Sequence, residues 1–227
     1  MPPDSLQPPA APPVQSPSFY RWLMLVLGTL IVLVLLYRST EDTPQAPGVQ
    51  TDTLPKMSVV GPFALTERSG RQITNRDLNG KIWVADFVYT TCPGPCPMVT
   101  ANLAAVQKAT ANDPNVQLVT FTVDPQTDTP GVLATYADKY GADPNRWWFL
   151  TGPEKPLYSL IQNSFLQAVQ DNRTQQPEPG QFTVTHSTYF ALVDTEGDVR
   201  GFYDGAGPSD HADLLRDIKK LEKEAGL

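Results

Sequence analysis

The sequence predicts an α/β fold, a sheet with a parallel core covered by helices, preceded by one transmembrane helix. Three observations carry this. Two near-continuous apolar runs, KIWVADFVYT and VQLVTFTV, have the character of strands buried on both faces of a sheet. Between them Val99, Leu103 and Val106 recur at helical spacing, so that strand, helix and strand form a parallel pair. Ahead of both, Trp22 to Tyr37 is an uncharged run of sixteen residues, about 24 Å as a helix at 1.5 Å per residue.

Taken in order, residues 1–21 read as a disordered tail: Met1 to Pro17 holds seven prolines and a single charged side chain, Asp4. The run at 22–37 is read as a transmembrane anchor, with Tyr20, Trp22 and Tyr37 as interfacial aromatics and Arg21 and Arg38 at its ends. A cleaved signal peptide is the alternative; no small-residue cleavage site follows directly, and there is no lipid-acceptor cysteine. Residues 38–58 are polar and carry three prolines, a linker, and the domain is expected over 59–227.

Within the domain GPFALTERSGRQIT is an N-terminal β-hairpin. The strand-helix-strand unit follows, and Asp128-Thr129-Pro130 opens a further helix that Gly141 can stop. WWFLTG is a short strand, with one Trp ring expected in the core and one at the surface, and PEKPLYSLIQNSF is a helix. STYFALVD and VRGFYDG pair across the turn at Thr195 to Asp198, and a last helix from about Ser209 turns Leu214, Leu215, Ile218 and Leu221 inward. This order of elements is that of a thioredoxin-like fold with an extra N-terminal hairpin and an inserted strand-helix unit.

Composition excludes several functions. With 17 Lys and Arg against 24 Asp and Glu the chain carries a net charge of −7, which argues against nucleic acid as a partner. Two cysteines, Cys92 and Cys96, cannot build a Cys-rich zinc module or a multi-disulfide framework. Any thiol chemistry belongs to this one pair. It lies in a Pro-rich loop after the strand that ends near Tyr89, at the sheet edge where open α/β folds bind ligands. Pro97 suits the first helical position, which puts Cys96 at or beside the N-cap and predicts thiols more acidic than usual.

His186 opens the strand STYFALVD, which this topology runs antiparallel to the strand before the cysteines, so His186 approaches the sulfurs from across the sequence. Asp124 reaches the same edge. Two thiolates and an imidazole form a soft three-coordinate site suited to Cu(I), whereas structural zinc would need a fourth ligand, for which Asp124 is the local donor. Plainer readings stand beside this: a disulfide for the cysteines, and an edge polar residue for His186. Met98 packs on the sheet or serves as a soft ligand. His211 is read as surface, and Asp124 and Asp128 as either turn and cap residues or neighbours of the site.

The segments DFVYTTCPGPCPMVT, FTVDPQTDTPGVLATYADKYGADPNRWWFLTG and THSTYFALVDTEGDVRGFYDG closely resemble the Sco/SenC family of membrane-anchored copper chaperones. The resemblance implies that Cys92, Cys96 and His186 bind a copper ion, Cu(I) and also Cu(II), with Asp124 as a neighbour of the site. It implies a role in assembling the CuA centre of cytochrome c oxidase, with oxidase subunit II or another copper acceptor as partner and a copper donor or thiol-disulfide oxidoreductase upstream. It also implies a place at the plasma membrane with the domain facing the periplasm or the equivalent space. The chain departs from the usual family loop where Thr91 stands for a His and Gly94 for an Asp. The enzyme alternative is a thiol-disulfide reductase working through Cys92 and Cys96 on acceptor cysteines, with a peroxidase as a weaker third.

Overall fold

The computed structural model describes residues 17–41, 53–166, 169–171, 184–207 and 211–227, with the backbone alone at 17–20, 38–41, 169–171 and 184–186. Most of the expected tail and of the linker therefore lie outside the described residues. The chain divides into two units, Met1–Gln50 and Thr51–Leu227.

In the first unit α1 (Pro17–Glu41) contains the apolar run. Proline occurs only at its first residue, where a missing amide proton costs nothing. Its described side chains, 21–37, are all exposed. Thr29 satisfies its hydroxyl on the carbonyls of Leu25 and Val26, at 3.1 and 2.8 Å. Among the described residues no helix is long and apolar enough to cross a membrane. The uncharged run is a few residues short of the roughly 20 that a hydrocarbon core usually demands.

The second unit is built on β4 (Ile82–Val88), β5 (Val116–Thr122) and β6 (Trp147–Thr151), which are parallel and in register from Ile82↔Val116 to Val88↔Thr122. Every residue of the three strands is buried, as the apolar runs require. The crossovers are α2 (Cys96–Ala109) and α3 (Pro130–Lys139), and α4 (Glu154–Phe165) follows β6. In α2, Val99, Leu103 and Val106 are buried as the spacing predicts. Thr129 caps α3, its hydroxyl accepting from the Val132 amide, and Pro130 takes the first position. One sheet face carries an aromatic cluster of Phe63, Trp83, Phe87, Phe121 and Phe165.

The hairpin β2 (Ala64–Glu67) and β3 (Gln72–Thr74) joins β6, and its turn uses Gly70 at a φ of +87° that an L side chain resists. On the other side β9 (Tyr189–Val193) lies antiparallel to β4, β10 (Asp198–Asp204) pairs with β9, and β1 (Ser58–Val59) pairs with β10. The eight strands run β1-β10-β9-β4-β5-β6-β2-β3. The final helix, α5 (Ala212–Ala225), buries Leu214, Ile218 and Leu221, with Leu215 at the margin.

Several expectations need correction. Both tryptophans are buried, because the Arg71 guanidinium stacks over the Trp148 ring at 5.1 Å and covers what would be its open face. His211 is buried, not surface: it sits in the left-handed region as the cap of α5, its ring edge-on to Phe190 at 5.4 Å. Met98 is 49% exposed and does not pack on the sheet, since it falls on the outer face of the first turn of α2. His186 does not open the strand of the main sheet; it ends a separate two-stranded ribbon of β7 (Val169–Asp171) and β8 (Val184–His186), three residues before β9. Residues Leu54 to Ser58, assigned by composition to the linker, are bound to the domain through Arg200, Glu224 and β10.

Candidate metal centre

β4 delivers the chain to the C-terminal edge of the sheet, and Tyr89 to Pro95 turn it into α2. Pro95 is the N-cap and Cys96 the first helical residue, beside the cap as expected, with Pro97 at the second position. The loop is fixed at three points. Cys92 N donates to the Tyr89 carbonyl at 3.2 Å, and Met98 N and Val99 N donate to the Pro95 carbonyl at 2.9 and 3.0 Å. Between these, the prolines restrict φ at three of the residues from 93 to 97.

The third fixing point comes from Asp128. Its carboxylate is fully buried and accepts from Thr90 N at 3.2 Å, from Thr90 Oγ1 at 2.5 Å and from Thr122 Oγ1 at 2.5 Å. It therefore latches the residue two before Cys92 to the end of β5. Burial raises the Asp128 carboxyl above its ordinary value, the hydroxyl bonds opposing. Asp124 is also buried, and its carboxylate accepts from Thr127 N within its own turn while its amide donates to Thr122 Oγ1. Of the two aspartates, Asp128 makes the described contact with the cysteine loop. Replacing Asp128 by Ala should cost about 2–3 kcal/mol by stranding three donors, measured by urea unfolding, whereas Asp124→Asn should cost less.

Cys92 and Cys96 are both buried, at 9% and 0% exposure, and are not joined in a disulfide. The thiols are hydrogen-bonded to each other, and this bond, then burial, pushes the Cys96 thiol well above its ordinary range. The expectation of an acidic pair is thus corrected for Cys96: the dipole at the helix start is outweighed by a neighbouring sulfur and an apolar wall. Thr91 and Gly94, where the loop departs from the usual pattern, are exposed.

A further carboxyl escaped sequence reasoning. Asp86 lies in the middle of β4, fully buried, with Thr120 in register beside it and neither carboxylate oxygen hydrogen-bonded. It alternates with Phe87 and so faces away from the aromatic cluster. On Asp86's side of the sheet the Thr120 hydroxyl accepts from Trp147 Nε1 at 2.8 Å, and Thr100 of α2 meets the Tyr136 hydroxyl of α3 at 2.9 Å. Burial pushes the Asp86 carboxyl up to about 7. The available signal was one acid inside an otherwise apolar strand.

The backbone of His186 ends β8 opposite Val169, and its side chain lies outside the described residues. β9 begins three residues later and runs antiparallel to β4, Ala191 opposite Ala85, so its start lies at the edge where β4 ends. Among the described residues one group of three acids could approach a cation: Asp194, Glu196 and Asp198 in the β9–β10 turn, at the opposite edge. Protein groups already engage it. Asp194 accepts from Glu196 N, Asp198 N and Arg200, and Lys56 pairs with Glu196 and Asp198. The two adjacent sulfurs remain the soft donor pair, suited to Cu(I) over hard cations.

The model of the family described as SCO1/SenC matches residues 51–223. The chain belongs to the SCO1/SenC family. The "SCO1 protein homolog" of Bacillus subtilis strain 168 is 32% identical over 162 residues, covering 70% of this chain and 81% of that protein. A SCO1/SenC family lipoprotein from Bacillus anthracis strain Ames superposes with a TM-score of 0.66 at 35% identity, over 72% of this chain and 95% of that one. The ScoI protein of Bradyrhizobium japonicum, solved with copper bound, superposes with a TM-score of 0.61 at 26% identity, over 72% and 99%. The mixed α/β, thioredoxin-like fold of the SCO1/SenC family is accordingly the fold of this domain.

Proposed function

We propose that the chain is a membrane-anchored, extracytoplasmic copper chaperone that supports assembly of the CuA centre of cytochrome c oxidase. The observation that carries this is the buried pair of hydrogen-bonded thiols at the start of α2, in a family whose solved members include one with copper bound. Cys92 and Cys96 supply two sulfurs, and His186, three residues before the start of β9, supplies an imidazole. Loading with Cu(I) releases the two thiol protons, and transfer proceeds by ligand exchange as acceptor sulfurs or imidazoles replace these donors one at a time. The site needs no fourth protein ligand, and an open position is what exchange requires.

The anchor is α1. Its exposed apolar side chains and flanking arginines fit a short span accommodated by local thinning and snorkelling. The acidic domain has no electrostatic attraction to anionic lipid, so the helix holds it beside a membrane-bound acceptor. The Bacillus anthracis member of the family is described as a lipoprotein.

The test is a titration of the reduced protein with Cu(I) against a competing chelator. One equivalent should bind the native chain, Cys92→Ser should lose tight binding, and His186→Ala should weaken it at least about tenfold, or 1.4 kcal/mol. Unchanged affinity in His186→Ala removes His186 from the site. Rapid reduction of a protein disulfide by the copper-free protein, with weak copper binding, would establish the reductase instead.

A further inference from the structure

The helix that carries Cys96 also carries Asn102, a buried amide that reaches the loop after β10. Its Nδ2 donates to the carbonyl of Gly205 at 2.9 Å and to that of Gly207 at 3.2 Å. Gly205 in turn donates its amide to the carbonyl of Thr188 at 3.0 Å. Contact there is close enough that only glycine fits. A Cβ on Gly205 would stand 2.6 Å from the Thr188 oxygen and 2.9 Å from the Phe190 ring. Phe190 is itself held edge-on by the buried His211 ring at 5.4 Å. Thr188 is two residues from His186. A continuous chain of contacts thus runs from the cysteine helix through Asn102 and Gly205 to the segment that leads out of His186.

We propose that Asn102 is a positioning residue for copper: it fixes the His186 segment relative to the cysteine helix, so that the third ligand is in place before the metal arrives. This rests on the reading of His186 as a ligand. Two sulfurs on one rigid turn need no such device, because residues 92 to 96 share a loop. His186 comes from a different part of the chain, at the end of a ribbon outside the main sheet, and the path of its backbone depends on what fastens the 187–189 connection. A donor amide is required at Asn102, since both groups it meets are carbonyls. Alanine would leave the buried Gly205 carbonyl and the part-buried Gly207 carbonyl without their partner, while the sheet and the cysteine loop keep their own bonds.

The experiment is a double-mutant cycle on the full chain, reading Cu(I) affinity against a chelator for the native protein, Asn102→Ala, His186→Ala and the pair. Asn102→Ala should reproduce most of the loss seen in His186→Ala, and the double variant should lose no more than His186→Ala alone. Gly205→Ala, which disturbs the same clamp from the other side, should behave like Asn102→Ala and serves if that variant does not fold. Arg200→Met supplies a destabilised control, far from the cysteines, whose copper affinity should stay native. Nitrogen hyperfine structure in the spectrum of the Cu(II)-loaded protein should weaken in Asn102→Ala and remain in Arg200→Met. If His186→Ala weakens copper but Asn102→Ala and Gly205→Ala do not, or if the losses add, the positioning role is overturned and the ligand stands. If His186→Ala has no effect, the ligand reading falls and the positioning role with it.

Discussion

At pH 8 an Asp86→Asn variant should melt roughly 10 °C above the native protein, and the two should converge as the pH is lowered toward 4. The carboxyl of Asp86 is pushed by burial from its ordinary 3.8 to about 7. A carboxyl raised in this way binds its proton in the folded state over a range where the unfolded chain has released it. Its contribution is therefore complete below the unfolded value and is lost as pH rises through the window from about 4 to about 7, at ~1.4 kcal/mol per pH unit. Across that window the loss reaches about 4 kcal/mol. Asparagine keeps the shape and removes the titration. Thermal unfolding of both proteins across pH 4–8.5 is the measurement, and parallel curves would mean that Asp86 does not hold its proton. Ionised Asp86 also adds to the forces that keep the Cys96 thiol protonated, after Cys92 and burial. The same variant should therefore ease thiolate formation above neutrality.

Arg200→Met should cost about 3–5 kcal/mol, the usual result of removing one partner from a buried ionic cluster. Arg200 is 6% exposed and reaches Asp194 at 2.7 Å and Glu224 at 2.9 Å. Its Nε also donates to the carbonyls of Leu54 and Pro55, at 3.2 Å each. Methionine fills the space but leaves Asp194 Oδ2 without its cation, only Oδ1 keeping its amide donors, and releases the carbonyls of Leu54 and Pro55. A second change, Asp194→Asn in the same chain, should recover part of the loss by removing the stranded charge. Urea unfolding of the single and double variants decides the matter, and a loss below about 1 kcal/mol would place Arg200 with ordinary surface pairs.

Much of this architecture was readable from periodicity, because the central strands are buried on both faces and the helices on one. The cysteine loop was readable because the sequence has no other cysteines and sets these beside proline. What escaped depends on contacts between residues distant in sequence. One of the two tryptophan rings reads as surface because nothing local announces that Arg71 lies over Trp148. The residues from Leu54 to Ser58 read as linker because their partners, Arg200 and Glu224, follow some 146 to 170 residues later. His211 read as surface because it is surrounded by acids in the sequence and by Phe190 in space. The β7–β8 ribbon gave no alternation strong enough to mark two short strands. Asp128 was visible as a cap candidate, but its bond to Thr90 required β4 and β5 to be laid side by side.

The fastening of Leu54 to Arg200 and Glu224 bears on how the domain is made as well as on how it stands. Strands β4, β5 and β6 can pair as they are synthesised, each with a neighbour a few tens of residues away. β1 must wait for β10, and the strap at Leu54 must wait for α5. Pairings of such sequence separation are the slow ones, since the chain loses loop entropy before it gains contact. During synthesis the early strands therefore form while β4 lacks its neighbour β9 and the start of the domain hangs loose. The two cysteines lie just beyond β4, so they pass through that interval beside a strand that still lacks one of its two neighbours.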